Sequence, residues 1–268
     1  MKYEKIKSKI DRLIKGRNFL RKLFYAGLNL VLLRAWHVRR EIKNFFKSRD
    51  GQINVLDAGC GFGQYSYFIA KKFRNSNVLG VDINEERIKE SEKFAREEGI
   101  ENLKFDIADL ENLNYEGSFD LILAVDVLEH IENDVKVLKN FYRALKKDGL
   151  LIISTPSSLG GSDVHSDEDA SFIEEHIRHG YSQDEIKSKL EEAGFEDITF
   201  KYTYGKFGSL SWKLTIKFPI LLLGKSFIFV VLLPLYYLFV LMPGFLLMWL
   251  DGRVENKSGT GLLLKARK

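Results

Sequence analysis

With 268 residues, 45% of them hydrophobic, the chain can hold one large α/β domain with additions and is too apolar for a disordered protein. Cys60 is the only cysteine, which excludes an internal disulfide framework and a cysteine-based metal cluster and favours a reducing, cytoplasmic setting. The net charge of +4 is uneven: residues 1–49 carry 15 Lys or Arg against Glu4, Asp11 and Glu41, about +12, and the remaining 26 basic and 34 acidic residues give about −8, so an anion-seeking surface is expected at the N-terminus unless its cations only solvate a helix.

From residue 3 to 24, Ile6, Ile10, Leu13, Ile14, Leu20 and Phe24 recur at helical spacing among Lys and Arg, which predicts a basic amphipathic helix that Gly16 can interrupt. The segment lacks the short basic start and small-residue cleavage site of a signal peptide and is expected to be retained. A further helix over 33–46 leads onward. Between residues 52 and 203, short apolar runs alternate with amphipathic stretches, the pattern of parallel strands joined by crossover helices. Strands are predicted over 54–58, 78–82, 103–106, 119–125, 150–154 and 198–204. Helices are predicted over 64–73, 85–98, 134–145 and 183–193, with Gly99, Gly149 and Gly194 as stops.

The first strand runs into Asp57-Ala-Gly59-Cys60-Gly61-Phe-Gly63 and a helix. Glycines let a backbone approach a ligand closely, and the helix start offers unpaired N–H groups to a carboxylate or a phosphate. Asp82, ending the second strand, is placed to accept hydrogen bonds from ribose hydroxyls, a feature shared with nicotinamide enzymes. The third glycine of the dinucleotide pattern is Gln64, which weakens that alternative. After the third strand, Asp109 can accept from an adenine amino group with Leu110 packed on the ring, or Asp109 can simply cap a turn. The fourth strand reads Phe119-Asp-Leu-Ile-Leu-Ala-Val125-Asp-Val-Leu-Glu-His130.

These four motifs, in this order and spacing, resemble the class I S-adenosylmethionine-dependent methyltransferases, particularly the ubiquinone-biosynthesis branch, over residues 52–203 and the last strand. The resemblance implies a Rossmann-like, seven-stranded, mostly parallel sheet with an antiparallel last strand at 261–266, and S-adenosyl-L-methionine as cofactor. It also implies site roles: Asp57, Gly59 and Gly61 line the methionine moiety, Asp82 binds the ribose, Asp109 and Leu110 flank the adenine, and Val125 covers the cofactor near the sulfonium, with Cys60 and Ile83 completing the set. The fourth motif lacks the Asn-Pro-Pro-Tyr or Asp-Pro-Pro-Tyr of nucleobase amino methyltransferases, so nucleic acid is disfavoured as substrate. His130 is the candidate general base, or else an anchor for the following helix. His165, His176 and His179 fall where the family shapes its acceptor pocket; His176 and His179, one turn apart, lack the further ligands of a metal site, and none is expected.

From 218 to 250 the only charge is Lys225, a stretch long enough to span a bilayer were it not for Pro234 and Pro243. A single span would leave the last strand across the membrane from its sheet. A helical hairpin is therefore predicted, with arms near 214–233 and 235–250 bending at Pro234 and Lys213, Lys217, Lys225 and Arg253 among the headgroups; capping of the domain or a dimer contact is the alternative. The expected organisation is basic N-terminal helices at 1–50, a methyltransferase domain at 51–212 and 257–268, and an apolar insert at 213–256. The expected function is methylation of a small amphiphilic or lipid-linked acceptor at a surface of anionic lipids, against a catalytically silent cofactor-binding module.

Overall fold

A computed structural model describes residues 14–160, 177–225 and 227–268. Its centre is a seven-stranded sheet of order β3-β2-β1-β4-β5-β7-β6, built from β1 (Ile53–Ala58), β2 (Ser76–Asp82), β3 (Leu103–Ile107), β4 (Phe119–Val125), β5 (Leu145–Pro156), β6 (Glu196–Thr203) and β7 (Gly261–Arg267). The first five strands run parallel, and β7 lies antiparallel to both β5 and β6. The strand order reverses between β1 and β4, where open α/β sheets bind ligands beyond the carboxyl ends of their strands.

Alternation along the strands divides the core. Val55, Leu121, Leu123 and Ile152 face one side, where Ala35, Val38, Ile42, Phe45, Tyr65 and Ile69 cover them. Leu56, Ala58, Ile122, Ala124 and Ile153 face the other, under Val137, Leu138, Phe141, Ile186 and Leu190. The helices supplying these residues are α2 (Leu33–Lys47), α3 (Gln64–Lys72), α5 (Asp134–Ala144) and α6 (Gln183–Glu192), and α4 (Glu85–Glu97) adds Ile88 and Ala95 to the first side. Thus α2, grouped by sequence with the N-terminal segment, belongs to the sheet's own cover. Gly99 and Gly194 stand in the left-handed conformation just past α4 and α6. Gly149 is not a helix stop: α5 already ends at Ala144 and β5 runs through this glycine.

The described part of the N-terminal arm holds α1 (Asn18–Val31), and its polarity is the reverse of an ordinary surface helix. Arg21 and Tyr25 are buried, while Phe19 is 73% exposed and Leu23 58%. The reason is the partner, since α4 and its end carry Glu86, Glu90, Glu97 and Glu98. Lys15 pairs with Glu86 at 2.6 Å and Lys22 with Glu98 at 3.0 Å. Arg21 donates to the Glu90 carbonyl and lies over the Phe94 ring. The electrostatic membrane role expected of this arm does not apply to these cations, which are turned toward the protein's own acidic helix; residues 1–13 lie outside the described residues.

Beyond β6 the chain leaves the sheet as α7 (Lys206–Trp212), continues through a π-helical turn (Lys213–Lys217) into α8 (Phe218–Lys225), and returns as α9 (Leu233–Arg253). The first arm therefore starts at Lys206, ahead of the expected start at 214 and of the domain boundary set at 212. The bend lies before Pro234, which stands in the first turn of α9 where its missing N–H costs nothing; Pro243 sits inside the helix. The arms pack closely through small residues: Ser211 Oγ donates to the Gly244 carbonyl at 2.9 Å, and a Cβ on Gly244 would stand 2.6 Å from Thr215 Cγ2. Tyr236 and Tyr237 donate to the Leu214 and Thr215 carbonyls. At the base of the hairpin, Asp251 accepts from the Gly208 N–H. The helix α9 is long and apolar enough to cross a membrane.

Candidate active site

The parallel strands bring the ends of β1, β2, β3, β4 and β5 to one edge. At β1, Gly59 adopts φ +69° and a Cβ there would stand 2.4 Å from Val127 Cγ2, so the glycine loop lies directly on the turn after β4. Gly61, at φ +52°, faces open space. The Cys60 N–H donates to the Val81 carbonyl and the Gly61 N–H to Asp82 Oδ2 at 2.9 Å. Asp82 Oδ1 accepts from the Asn84 N–H at 2.9 Å. Both Asp82 oxygens thus already order backbone, and each keeps acceptor capacity. The side chain of Gln64, where a third glycine would stand in a dinucleotide fold, is occupied in donating to Asn29 Oδ1 at 2.8 Å, tying the loop to α1. The Tyr25 hydroxyl closes the same latch by donating to the Phe62 carbonyl.

Asp57 is buried at the end of β1, its Oδ2 accepting from the N–H and the hydroxyl of Ser66. Burial pushes its carboxyl up to about 6, against the pull of the Ser66 hydrogen bonds. Burial also raises the Cys60 thiol, helped by the Asp57 and Asp82 carboxylates, so Cys60 contributes backbone rather than a thiolate. Raised above its unfolded value, the Asp57 carboxyl costs stability when ionised, a cost present above pH 6 and relieved as pH falls toward 4, up to about 3 kcal/mol. A cationic ligand group reverses the preference. S-adenosylhomocysteine affinity, measured by calorimetry, is expected to fall on acidification through pH 6 in the wild type and to stay flat across that range in Asp57→Asn.

On the side where adenine is expected, Asp109 orders its own turn and each of its oxygens keeps acceptor capacity. Asp109 caps the short 3-10 turn Leu110–Asn112: its Oδ1 accepts from the Glu111 N–H at 2.9 Å and its Oδ2 from Asn112 Nδ2 at 2.6 Å. Leu110 is buried and belongs to the same core cluster as Leu113, Phe119 and Leu138. The exposed apolar side chains at this edge are Ile83, which follows β2, and Ile107, which pairs with Asp82 in the β2–β3 register. Ile107 was not singled out by sequence, where it reads as one more strand residue.

At β4, Val125 is half-buried and Asp126 holds φ +51°, a conformation that few residues other than glycine adopt and Asp adopts more readily than most. Asp126 pairs with Arg34 of α2, whose backbone N–H donates to the Tyr204 hydroxyl at 3.1 Å. Glu129, which sequence reasoning passed over, is fully buried in the turn Leu128–His130. Its Oε2 accepts from Thr155 Oγ1 at 3.1 Å, and its Oε1 has no hydrogen-bond partner among the described residues. Burial raises its pKa, opposed by the backbone, His130, Thr155 and Arg34. His130 stands half-exposed on the same turn. His179 is exposed beyond β5, and His165 and His176 lie outside the described residues.

A methyltransferase-domain family model matches residues 49–194, just over half of the chain. Among curated relatives, wheat (Triticum aestivum) phosphoethanolamine N-methyltransferase 1 is 29% identical over 191 residues, covering 69% of this chain and 36% of that enzyme. The ubiquinone/menaquinone biosynthesis C-methyltransferase UbiE of Rickettsia felis is 29% identical over 201 residues, covering 65% and 81%. The chain spans about a third of the length of the N-methyltransferases it matches. Among solved structures, Haemonchus contortus phosphoethanolamine N-methyltransferase 2, bound to phosphomonomethylethanolamine and S-adenosylhomocysteine, superposes with a TM-score of 0.64 at 19% identity, over 97% of this chain and 59% of that one. The chain belongs to the class I S-adenosylmethionine-dependent methyltransferase family.

Proposed function

We propose that the chain transfers the methyl group of S-adenosylmethionine to a small amphiphilic or lipid-linked acceptor at a membrane surface on the cytoplasmic side. The observation that carries this is topological. Because β7 is antiparallel to both β5 and β6, β6 runs the same way as β4, and the hairpin leaves the sheet at the edge that holds the glycine loop, Asp82 and Val125. Its returning helix turns Gly244, Met248 and Asp251 inward and leaves Leu235, Leu238, Phe239, Met242, Leu246 and Trp249 exposed. Capping of the domain does not account for that outward stripe. A leaflet covering it would stand beside the acceptor face.

The residues present fit the cofactor. Gly61 leaves room for a close backbone contact, Asp57 offers a buried carboxylate to an ammonium group, Asp82 retains acceptor sites for ribose hydroxyls, and Ile83 with Ile107 gives apolar faces for adenine. The cofactor supplies a methyl group already activated on a sulfonium, which leaves the protein to align the acceptor and exclude water. Val125, the half-buried last residue of β4, is assigned the cover over the cofactor on the acceptor side. His130, on the turn after β4, is assigned the acceptor proton. The relatives' acceptors, amines in some and quinone precursors in another, leave nitrogen, oxygen and carbon open.

His130→Ala is expected to lower turnover about a hundredfold and to leave S-adenosylhomocysteine affinity unchanged; equal losses of both would assign His130 a structural role. The acceptor class is tested by comparing lipids and small metabolites of cells with and without the active protein. A compound heavier by one methylene is expected among the organic-soluble species. Its appearance only among water-soluble metabolites would remove the membrane from the function.

A further inference from the structure

The outer face of α1 carries Phe19, Leu23, Ala26 and Leu30, all exposed and spaced to form one stripe about 16 Å long. We propose that this stripe is a second lipid-inserting element, apolar rather than electrostatic in origin, which shares a leaflet with the hairpin and flanks the acceptor edge from the other side. The inference rests on the membrane reading of the hairpin and extends it to a part of the chain that is not itself long enough or apolar enough to suggest a membrane.

Three observations support a lipid surface as the occupant. The helix turns Arg21 and Lys22 toward α4, as Lys15 just before it is turned, and Arg17 stands exposed at its start, so the side it presents outward is largely apolar. Its last turn is continuous with the hairpin: Trp36 Nε1 donates to the Asn29 carbonyl at 2.9 Å, and the same indole stacks on Phe245 of α9 with ring centroids 6.3 Å apart. Finally, four side chains on one helix offer roughly 400 Å² of apolar surface at most, against the ~800 Å² per partner of a stable dimer. A leaflet needs no such minimum, because the hairpin shares the attachment and each buried side chain adds to it. The position matters for function because α1 also holds the glycine loop, through Tyr25 on Phe62 and Asn29 on Gln64.

The test uses full-length protein and neutral phosphatidylcholine vesicles, on which electrostatic attraction contributes little. Phe19→Ser/Leu23→Ser is expected to partition onto them at least tenfold more weakly than the wild type, and Lys15→Gln/Lys22→Gln as the wild type does. Both should bind S-adenosylhomocysteine in solution with wild-type affinity, which shows that they are folded. Wild-type partition by Phe19→Ser/Leu23→Ser, with release of Leu238→Glu/Met242→Glu, would overturn this inference while leaving the hairpin's role intact. Absence of wild-type partition would overturn both. A vesicle-free dimer in ultracentrifugation that Phe19→Ser/Leu23→Ser converts to monomer would assign the stripe to a second copy and overturn the lipid assignment.

Discussion

Asp82→Ala is expected to weaken S-adenosylmethionine binding by about 1.5 to 3 kcal/mol, roughly ten- to 150-fold, because it removes charge-assisted acceptors at the ribose. The structure adds a second route to the same loss. Asp82 Oδ2 holds the Gly61 N–H and Oδ1 the Asn84 N–H, so the carboxylate shapes the glycine loop before any ligand arrives. Asp82→Asn keeps one carbonyl acceptor and should lose less. Calorimetry on the two variants separates the contributions: if Asn restores most of the affinity, loop ordering dominates, and if it restores little, the ribose contact does. Unchanged affinity in Asp82→Ala would remove this residue from the site.

The second large effect is expected at the hairpin. Leu238 and Met242 stand 71% and 75% exposed on the outer face of α9, one turn apart, so charged substitutions there leave the packing against Ser211 and Thr215 untouched. Placing two carboxylates where a leaflet is expected costs about 2.5 kcal/mol or more for each near the membrane interior, less nearer the headgroups. Leu238→Glu/Met242→Glu should therefore sediment with vesicles at least a hundredfold more weakly than the wild type while keeping its cofactor affinity. Gly244→Leu, which drives a side chain into Thr215, should instead disturb the hairpin itself and lower thermal stability. Vesicle binding by the double variant equal to that of the wild type would show that the outward stripe does not meet lipid.

Much of this architecture could be read from the chain. The strands were visible because their residues are buried on both faces and read as unbroken apolar runs, as in Leu121-Ile-Leu-Ala124, and the glycine loop because only a few residue types tolerate its backbone. The hairpin followed from topology: two neighbouring strands must meet again after the insert, as β6 and β7 do. What stayed hidden depended on partners distant in sequence. Periodicity grouped Ile14, Leu20 and Phe24 on a helical stripe, but that Arg21 turns inward while Phe19 and Leu23 face outward depends on the glutamate-bearing α4. Asp109 also has a local reading as a cap, and its two oxygens make that cap without using all their acceptor capacity. Glu129 drew no reading from sequence, and its burial beside Thr155 emerges only once β4 and β5 pair.

Fold and cofactor site define a family but not a turnover, since binding S-adenosylmethionine does not by itself move a methyl group. The most direct measurement is to incubate the purified chain with S-adenosylmethionine labelled on its methyl group and native membranes, then divide the products between organic and aqueous phases. Label in the organic phase, matched by released S-adenosylhomocysteine and absent with Asp82→Ala at the same cofactor concentration, is the result expected. Tight cofactor binding with no label transferred to either phase would contradict the account and leave a cofactor-binding module without methyltransferase activity.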